Sequence, residues 1–238
     1  MNVIGVIPAR GGSKGVHRKN IKELAGKPLI QYTIDEAKKS DNINRVIVST
    51  EDDEIAQISR DLGAEVIMRP EELASDTAPT LPVIQHVVET LEKEGEKIDA
   101  VMLLQPTTPF RTVEDIDGAV ELFKEKKPDS LVSVDSVPGH FSPLWQISLD
   151  ESNEIKLFMN KYDSNIKDFK TRRQLLPKTY YRNGAIYLTK KEVIMTTGGH
   201  GEAGLYGKHC FAYVMGKENF VNIDTEHDFR TAELLLKN

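Results

Sequence analysis

Short apolar runs alternate with amphipathic segments over the first 135 residues. The runs VIGVIP (3–8), RVIVST (45–50), AEVIM (64–68), DAVMLLQ (99–105) and SLVSVD (130–135) are near-continuous rather than alternating. That is the pattern of strands buried on both faces. In the segment TLPVIQHVVETLEKEG, Ile84, Val87, Val88 and Leu91 fall at i, i+3, i+4 and i+7, one face of a helix. In PLIQYTIDEAKKS, Pro28 is expected at the first helical position, and Leu29, Ile30, Thr33, Ile34 and Ala37 form one stripe. TVEDIDGAVELFKEKK opens with Thr112 and Asp115 at capping-box spacing, and Thr225 and Asp228 repeat that spacing before a C-terminal helix.

Strands that alternate with helices make βαβ units, hence an α/β fold on a mostly parallel sheet with right-handed crossovers. Ligands of such sheets bind beyond the carboxyl ends of the strands. The loops to inspect therefore follow Pro8, Thr50, Met68, Leu104 and Val134. From 136 to 180 the pattern fails, in a stretch that holds the only tryptophan, Trp145. Irregular stretches of this length inside a compact chain tend to be functional, and this one reads as an inserted lid or subunit interface. Strands resume at GAIYLT (184–189) and FAYVM (211–215), separated by a glycine-rich surface loop, TTGGHGEAGLYG (196–207). The whole chain, 1–238, is expected to form one domain with that segment inserted.

Composition narrows the function. A net charge of −6 argues against general nucleic-acid binding, which leaves a basic footprint. No apolar stretch approaches a membrane span, and no cationic or cleavable leader precedes the first strand. The single cysteine, Cys210, excludes an intramolecular disulfide and is expected to be a small buried hydrophobe. A reducing cytoplasm is the expected location.

Against this acidic background the chain opens with IPARGGSKGVHRKN (7–20). Five Lys/Arg residues, Arg10, Lys14, Arg18, Lys19 and Lys22, precede the first acid, Glu23. Glycines let backbone N–H groups approach phosphate oxygens, and nearby cations neutralise them. The spacing matches neither the Walker loop nor the dinucleotide fingerprint. Crowding of like charge points to an anionic partner, and each charge-assisted bond to phosphate contributes about 1.5–3 kcal/mol. A polyphosphate is the natural candidate.

Read together, IPARGGSKGVHRKN, GKPLIQYTI, VIVSTEDDEIA, MRPEELASDTAPT, LLQPTTPFR, RRQLLPKTYYRNGAIY and NIDTEHD resemble the acylneuraminate cytidylyltransferases, the CMP-sialic acid synthetase family, in the family's order. The resemblance implies a Rossmann-like three-layer nucleotidyltransferase sheet and a homodimer whose inserted segment crosses to the neighbouring subunit. It implies a reaction as well. The anomeric hydroxyl of a nine-carbon acidic 2-keto sugar attacks the α-phosphate of CTP with Mg²⁺ present, giving CMP-sugar and pyrophosphate. It places Arg10, Gly11, Gly12, Ser13, Lys14, Lys19 and Asn20 around the triphosphate, and Arg69, Ala78 and Thr80 on the cytosine side. Gln105, Arg173, Asn183 and Tyr187 fall to the sugar, with Arg173 reaching a partner's site. Asp224 and Asn222 fall to the metal, and Lys19, Asp224 and Arg10 carry the catalysis. Attack on a polyanion by an anionic sugar needs cations and a divalent ion rather than a covalent nucleophile.

The match has departures. Family members commonly show D-I-D-T-E near the C-terminal helix, whereas this chain has Asn222 at the first position, which leaves Asp224 as the one carboxylate. The family's arginine two residues before the NGAIY asparagine is Tyr181 here, with Arg182 directly before Asn183. The family's N-acyl pocket would fall near Leu205 and Tyr206. The competing expectations are a nucleotidyltransferase for another acid sugar, Kdo included, and a non-catalytic nucleotide-binding regulator.

Overall fold

A computed structural model describes residues 1–13, 15–75, 78–159, 172, 174, 176–196, 204–216 and 220–237. Strand β1 (Val3–Pro8) leads through a long loop and a small hairpin, β2 (Glu23–Leu24) and β3 (Lys27–Pro28), into α1 (Leu29–Lys39). Then follow β4 (Arg45–Thr50), α2 (Asp53–Asp61), β5 (Glu65–Met68), α3 (Thr80–Lys93), β6 (Ala100–Leu103), α4 (Val113–Lys126) and β7 (Ser130–Ser136). The inserted segment carries a ribbon, β8 (Ile147–Leu149) and β9 (Ile155–Leu157). The chain returns as β10 (Tyr180–Lys190), α5 (Lys191–Thr196), β11 (Cys210–Val214) and α6 (Glu226–Lys237).

Among the described residues, seven strands form one sheet in the order β11-β7-β10-β6-β1-β4-β5. Neighbours run parallel except β10, which is antiparallel to both β6 and β7. This is the mostly parallel α/β sheet expected from the sequence. Alternation along each strand splits the core into two faces. Val3, Ile7, Val48, Met102 and Leu104 pack against α1, α2 and α4 through Ile30, Ile34, Ile55, Ile116 and Phe123. Ile4, Val6, Ile47, Val101 and Leu103 pack against α3 and α5 through Leu81, Ile84, Val87, Val88 and Ile194. Each fully buried aliphatic chain contributes about 1.5–3 kcal/mol, so the stripe read from α3 is a main fastening of its layer. A third cluster, Val16, Leu24, Leu29, Ile223, Phe229 and Ala232, seats α6 against the glycine-rich loop and the β2–β3 hairpin.

Local details depart from the expectations for identifiable reasons. Pro28 ends β3 and stands just before α1 rather than inside it. The strand expected from Gly184 begins earlier, at Tyr180, so the Asn183–Gly184 pair lies inside it. It forms an irregularity within β10, where pairing with β7 shifts register between Arg182 and Tyr187, and Gly184 takes φ +79°. Cys210 is exposed, not buried, because β11 is an edge strand of the sheet. Leu205, expected on a surface loop, is buried and its carbonyl accepts from the Thr189 hydroxyl at 2.8 Å. Among the described residues no helix is long and apolar enough to cross a membrane.

Candidate active site

From β1 the chain crosses by α1 to β4 on one side, while β6 lies on the other. The order therefore reverses at β1, the place where parallel sheets open a crevice at their carboxyl ends. A cleft of about 440 Å³ lies there. It is lined by Pro8, Arg10 and Ser13 after β1, Arg69 and Ser75 after β5, and Gln105, Pro106 and Thr107 after β6. Lys19, Asn20, Ala78, Thr80, Asn222 and Asp224 complete the wall. Ten of the residues singled out in the sequence thus meet on one surface, although 214 positions separate the first from the last. Lys14 and Arg173 lie outside the described residues, as do Asp76 and Thr77.

The loop after β1 is held from three sides. The Asn20 amide, buried, donates to the Arg10 carbonyl at 2.9 Å and braces the loop across its width. The Gly11 N–H donates to Glu51 at 2.7 Å, and a Cβ on Gly11 would collide with the Asp52 carboxylate. A Cβ on Gly15 would overlap the carbonyl oxygen of Asp224, so glycine there lets α6 and its preceding turn dock on the loop. Gly12, by contrast, has open space where its Cβ would be.

The cations of the opening stretch do not all face one anion. Arg18, in the left-handed region at φ 52°, donates to Asp52 at 2.6 and 3.0 Å and to Glu54 at 2.6 Å. The hydrogen bond from Arg18 holds the Asp52 carboxyl below the usual carboxylate range, with help from the Ile55 N–H that Asp52 caps. The same bond from Asp52 raises Arg18. Lys22 pairs with Glu226 at 2.7 Å and sits over the Phe229 ring. Part of the crowding read as demand for an anion is thus relieved by the protein's own carboxylates. Among the described residues of the stretch, Arg10 and Lys19 are the cations that reach the cleft wall.

Lys19 donates to the Ile223 carbonyl at 2.6 Å and to Asp224 at 3.2 Å. Asp224 is well exposed, its side chain 68% accessible, and Asn222 contacts its second oxygen at 3.4 Å. The reciprocal Thr225–Asp228 bonds fix the turn: Asp228 accepts from the Thr225 N–H and hydroxyl at 2.8 Å. Among the described residues no three His, Cys, Asp or Glu side chains converge as a metal cage. One exposed carboxylate beside an amide fits Mg²⁺ instead, since that ion keeps waters and takes most of its ligands from substrate phosphates.

On the opposite wall, Arg69 is nearly buried and donates to Glu51 through Nε at 3.0 Å and Nη2 at 2.8 Å. Glu51 therefore couples the glycine loop to Arg69. The acid follows β4 directly, where it reads as a helix-start residue. The usable signal was its place at the carboxyl end of a strand beside β1. Arg111 has no comparable mark in the sequence. It is 2% exposed and donates to Thr108 at 3.0 Å, the Ala185 carbonyl at 2.7 Å and Thr33 at 2.8 Å. Burial pushes its pKa down to about 10, against the pull of Asp115 and Glu36.

Asn183 and Tyr187 are not part of the cleft wall. Asn183 is 2% exposed, with its amide donating to Asp135 at 2.7 Å and its oxygen accepting from Ser133 at 2.6 Å and Ala185 N–H at 3.1 Å. In this structure it stitches the β10 irregularity to β7. Tyr187 stacks edge-on with Tyr206, whose ring also receives the Arg182 guanidinium.

A sequence model of the cytidylyltransferases matches residues 4–199. The chain is 36% identical over 196 residues to a CMP-N,N'-diacetyllegionaminic acid synthase of Legionella pneumophila, covering 82% of this chain and 81% of that one. It is 34% identical over 231 residues to an N-acylneuraminate cytidylyltransferase of Escherichia coli, covering 97% of this chain and 51% of that protein, so it spans about half that relative's length. Among solved structures, a CMP:2-keto-3-deoxy-manno-octonic acid synthetase complexed with CTP superposes with a TM-score of 0.73 at 16% identity, covering 100% of this chain and 99% of that one. At that identity the likeness is one of fold.

Proposed function

The chain belongs to the cytidylyltransferase family, and from that premise we propose that it couples CTP to a nine-carbon acidic 2-keto sugar, a sialic acid or a related nonulosonic acid such as legionaminic acid. The observation that carries the reading is the cleft at the β1 switch point, where a cationic loop, Arg69, Gln105 and Asp224 converge. The anomeric oxygen forms a bond to the α-phosphorus as the bond to the β-phosphate bridging oxygen breaks. The hydroxyl proton passes to solvent and pyrophosphate leaves.

The residues divide the work by chemistry. Arg10, Ser13 and Lys19 suit phosphate oxygens, and Arg10 and Lys19 stabilise the charge that grows on the departing pyrophosphate. Arg69, Ala78 and Thr80 form the wall suited to the base. Gln105, on the β6 side, offers an amide to sugar hydroxyls. Asp224, with Asn222, would hold Mg²⁺ against the phosphates, and such an ion supplies Lewis-acid neutralisation of the leaving group. Positioning and electrostatics do the rest, as in other phosphoryl and nucleotidyl transfers.

The ribbon of the inserted segment supports a homodimer. Ile147, Leu149, Ile155 and Phe158 are 46–63% exposed on or beside β8 and β9, an apolar cluster that a second copy would cover. Arg173 lies in the same inserted segment, and we assign it to the partner's sugar site. A cytoplasmic location suits both the supply of CTP and the exposed thiol of Cys210.

The test is pyrophosphate release from CTP and Mg²⁺ with sialic, legionaminic and pseudaminic acids and Kdo in separate reactions. Release with a nine-carbon acid is expected. Release with Kdo alone overturns the substrate class, and tight CTP binding without release from any acid favours a non-catalytic regulator.

A further inference from the structure

Arg111 is a buried cation that makes no contacting ion pair among the described residues, Asp115 and Glu36 acting on it only from longer range, and its Nε has no hydrogen-bond partner. Burying a charge without a contacting counter-ion is expensive, and apolar side chains of similar volume commonly replace such groups without loss of stability. Something other than packing therefore has to account for a guanidinium at this position. Its acceptors supply the account.

One of them, Thr108, is itself fully buried and donates its hydroxyl to the Gln105 carbonyl at 2.9 Å, while its N–H reaches the same carbonyl at 3.3 Å. Another is the carbonyl of Ala185, the residue after Gly184. A Cβ on Gly184 would stand 2.9 Å from Gln105 Oε1. A single planar guanidinium thus grips the turn that carries Gln105 and, through the same nitrogen, the bend of β10 against which the Gln105 side chain rests. Its other terminal nitrogen anchors both to Thr33 of α1. The neighbouring Thr107 carbonyl accepts from Ile223 N–H at 2.8 Å, so the turn also supports the segment leading to Asp224.

We propose that Arg111 is a positioning residue for the sugar half of the reaction: it fixes the separation between the Gln105 turn and the β10 bend, and so the place where the Gln105 amide meets the acid sugar. The guanidinium's planar fork can hold two acceptors on one nitrogen in a fixed direction, which a lysine ammonium on a flexible stem cannot. The β1 loop and Arg69, which face the nucleotide, are held instead by Asn20 and Glu51.

The proposal rests on the acid-sugar reading of the cleft. The experiment measures KM for CTP and for the acid sugar separately in wild type, Arg111→Lys and Thr108→Val, with thermal melts and the NMR signal of the Gln105 side-chain amide. Arg111→Lys is expected to raise the sugar KM roughly 10- to 100-fold, the cost of a small misplacement of a binding group. Thr108→Val, which cuts the link without touching the charge, is expected to act in the same direction. The KM for CTP stays within about twofold, and the Gln105 amide signal shifts or broadens in both variants. Equal increases in both KM values, or a lowered melting temperature with both KM values and the Gln105 signal at wild-type values, overturn the proposal. If Arg111→Lys fails to fold, Thr108→Val decides it on the same readouts. Wild type without turnover of any acid sugar defeats the substrate reading, and the Gln105 signal then still decides the positioning claim.

Discussion

Replacing Glu51 by alanine would strip the carboxylate that the Gly11 N–H and the Arg69 guanidinium share. The side chain of Arg69 is 4% exposed and that of Glu51 17%, so little water reaches the pair. Removing one partner of a buried pair leaves an uncompensated charge, which costs about 3–5 kcal/mol. The cleft beside Arg69 admits some solvent, which places the expected loss at the lower end, about 3 kcal/mol. For a chain of this size that corresponds to a fall in melting temperature of roughly 6–12 °C. The assay is thermal unfolding followed by circular dichroism, on Glu51→Ala, Arg69→Met and the double variant. If the penalty is the stranded guanidinium, Arg69→Met should restore most of the stability lost in Glu51→Ala, a coupling that the double-mutant cycle reads directly. A drop below about 2 °C in Glu51→Ala, or a double variant no more stable than the single, would refute the reasoning.

Three further outcomes follow from the same geometry. Asp224→Asn should nearly abolish turnover while Asn222→Ala is milder, because only the carboxylate brings charge to a magnesium ion; equal, small losses in steady-state assays would remove Asp224 from the chemistry. Gly15→Ala should weaken CTP binding by tenfold or so in calorimetry, since its Cβ forces the loop away from Asp224. The Arg18–Asp52 bond holds the Asp52 pKa below its unfolded value, so its stabilisation is complete above about pH 4 and fades as pH falls through the folded pKa. Asp52→Asn, which keeps a helix-capping side chain, should flatten the acid limb of stability against pH, and an unchanged limb would count against the assignment.

The fold was legible because burial on both faces writes itself into strands as unbroken apolar runs. The edges of β1, β4 and β7 were found to within a residue, and α3 announced its buried face by its spacing. What periodicity could not show was how polar groups would pair across the chain. Arg18 and Lys22 add to the crowding of cations beside Lys19, but their carboxylate partners lie 34 or more positions away and meet them only once α2 and α6 are docked. Glu51 is marked only by its place at the end of β4, and Arg111 carries no such mark, because the bonds that define them reach elements remote in sequence. Asn183–Gly184 reads locally as a turn, yet in the sheet the pair becomes a bend inside a long strand, because β10 must stay paired with β7 on both sides of it. The cleft residues, in contrast, came as motifs whose spacing survives folding, which is why ten of them share one wall.

The central claim is that a sugar hydroxyl attacks the α-phosphate of CTP directly in this cleft. Mass spectrometry of the products formed from CTP and a nonulosonic acid labelled with ¹⁸O at the anomeric hydroxyl tests it most directly. The account predicts that the label is retained in the CMP-sugar and that the pyrophosphate is unlabelled. Label in the pyrophosphate, or pyrophosphate without a CMP-sugar, would contradict it.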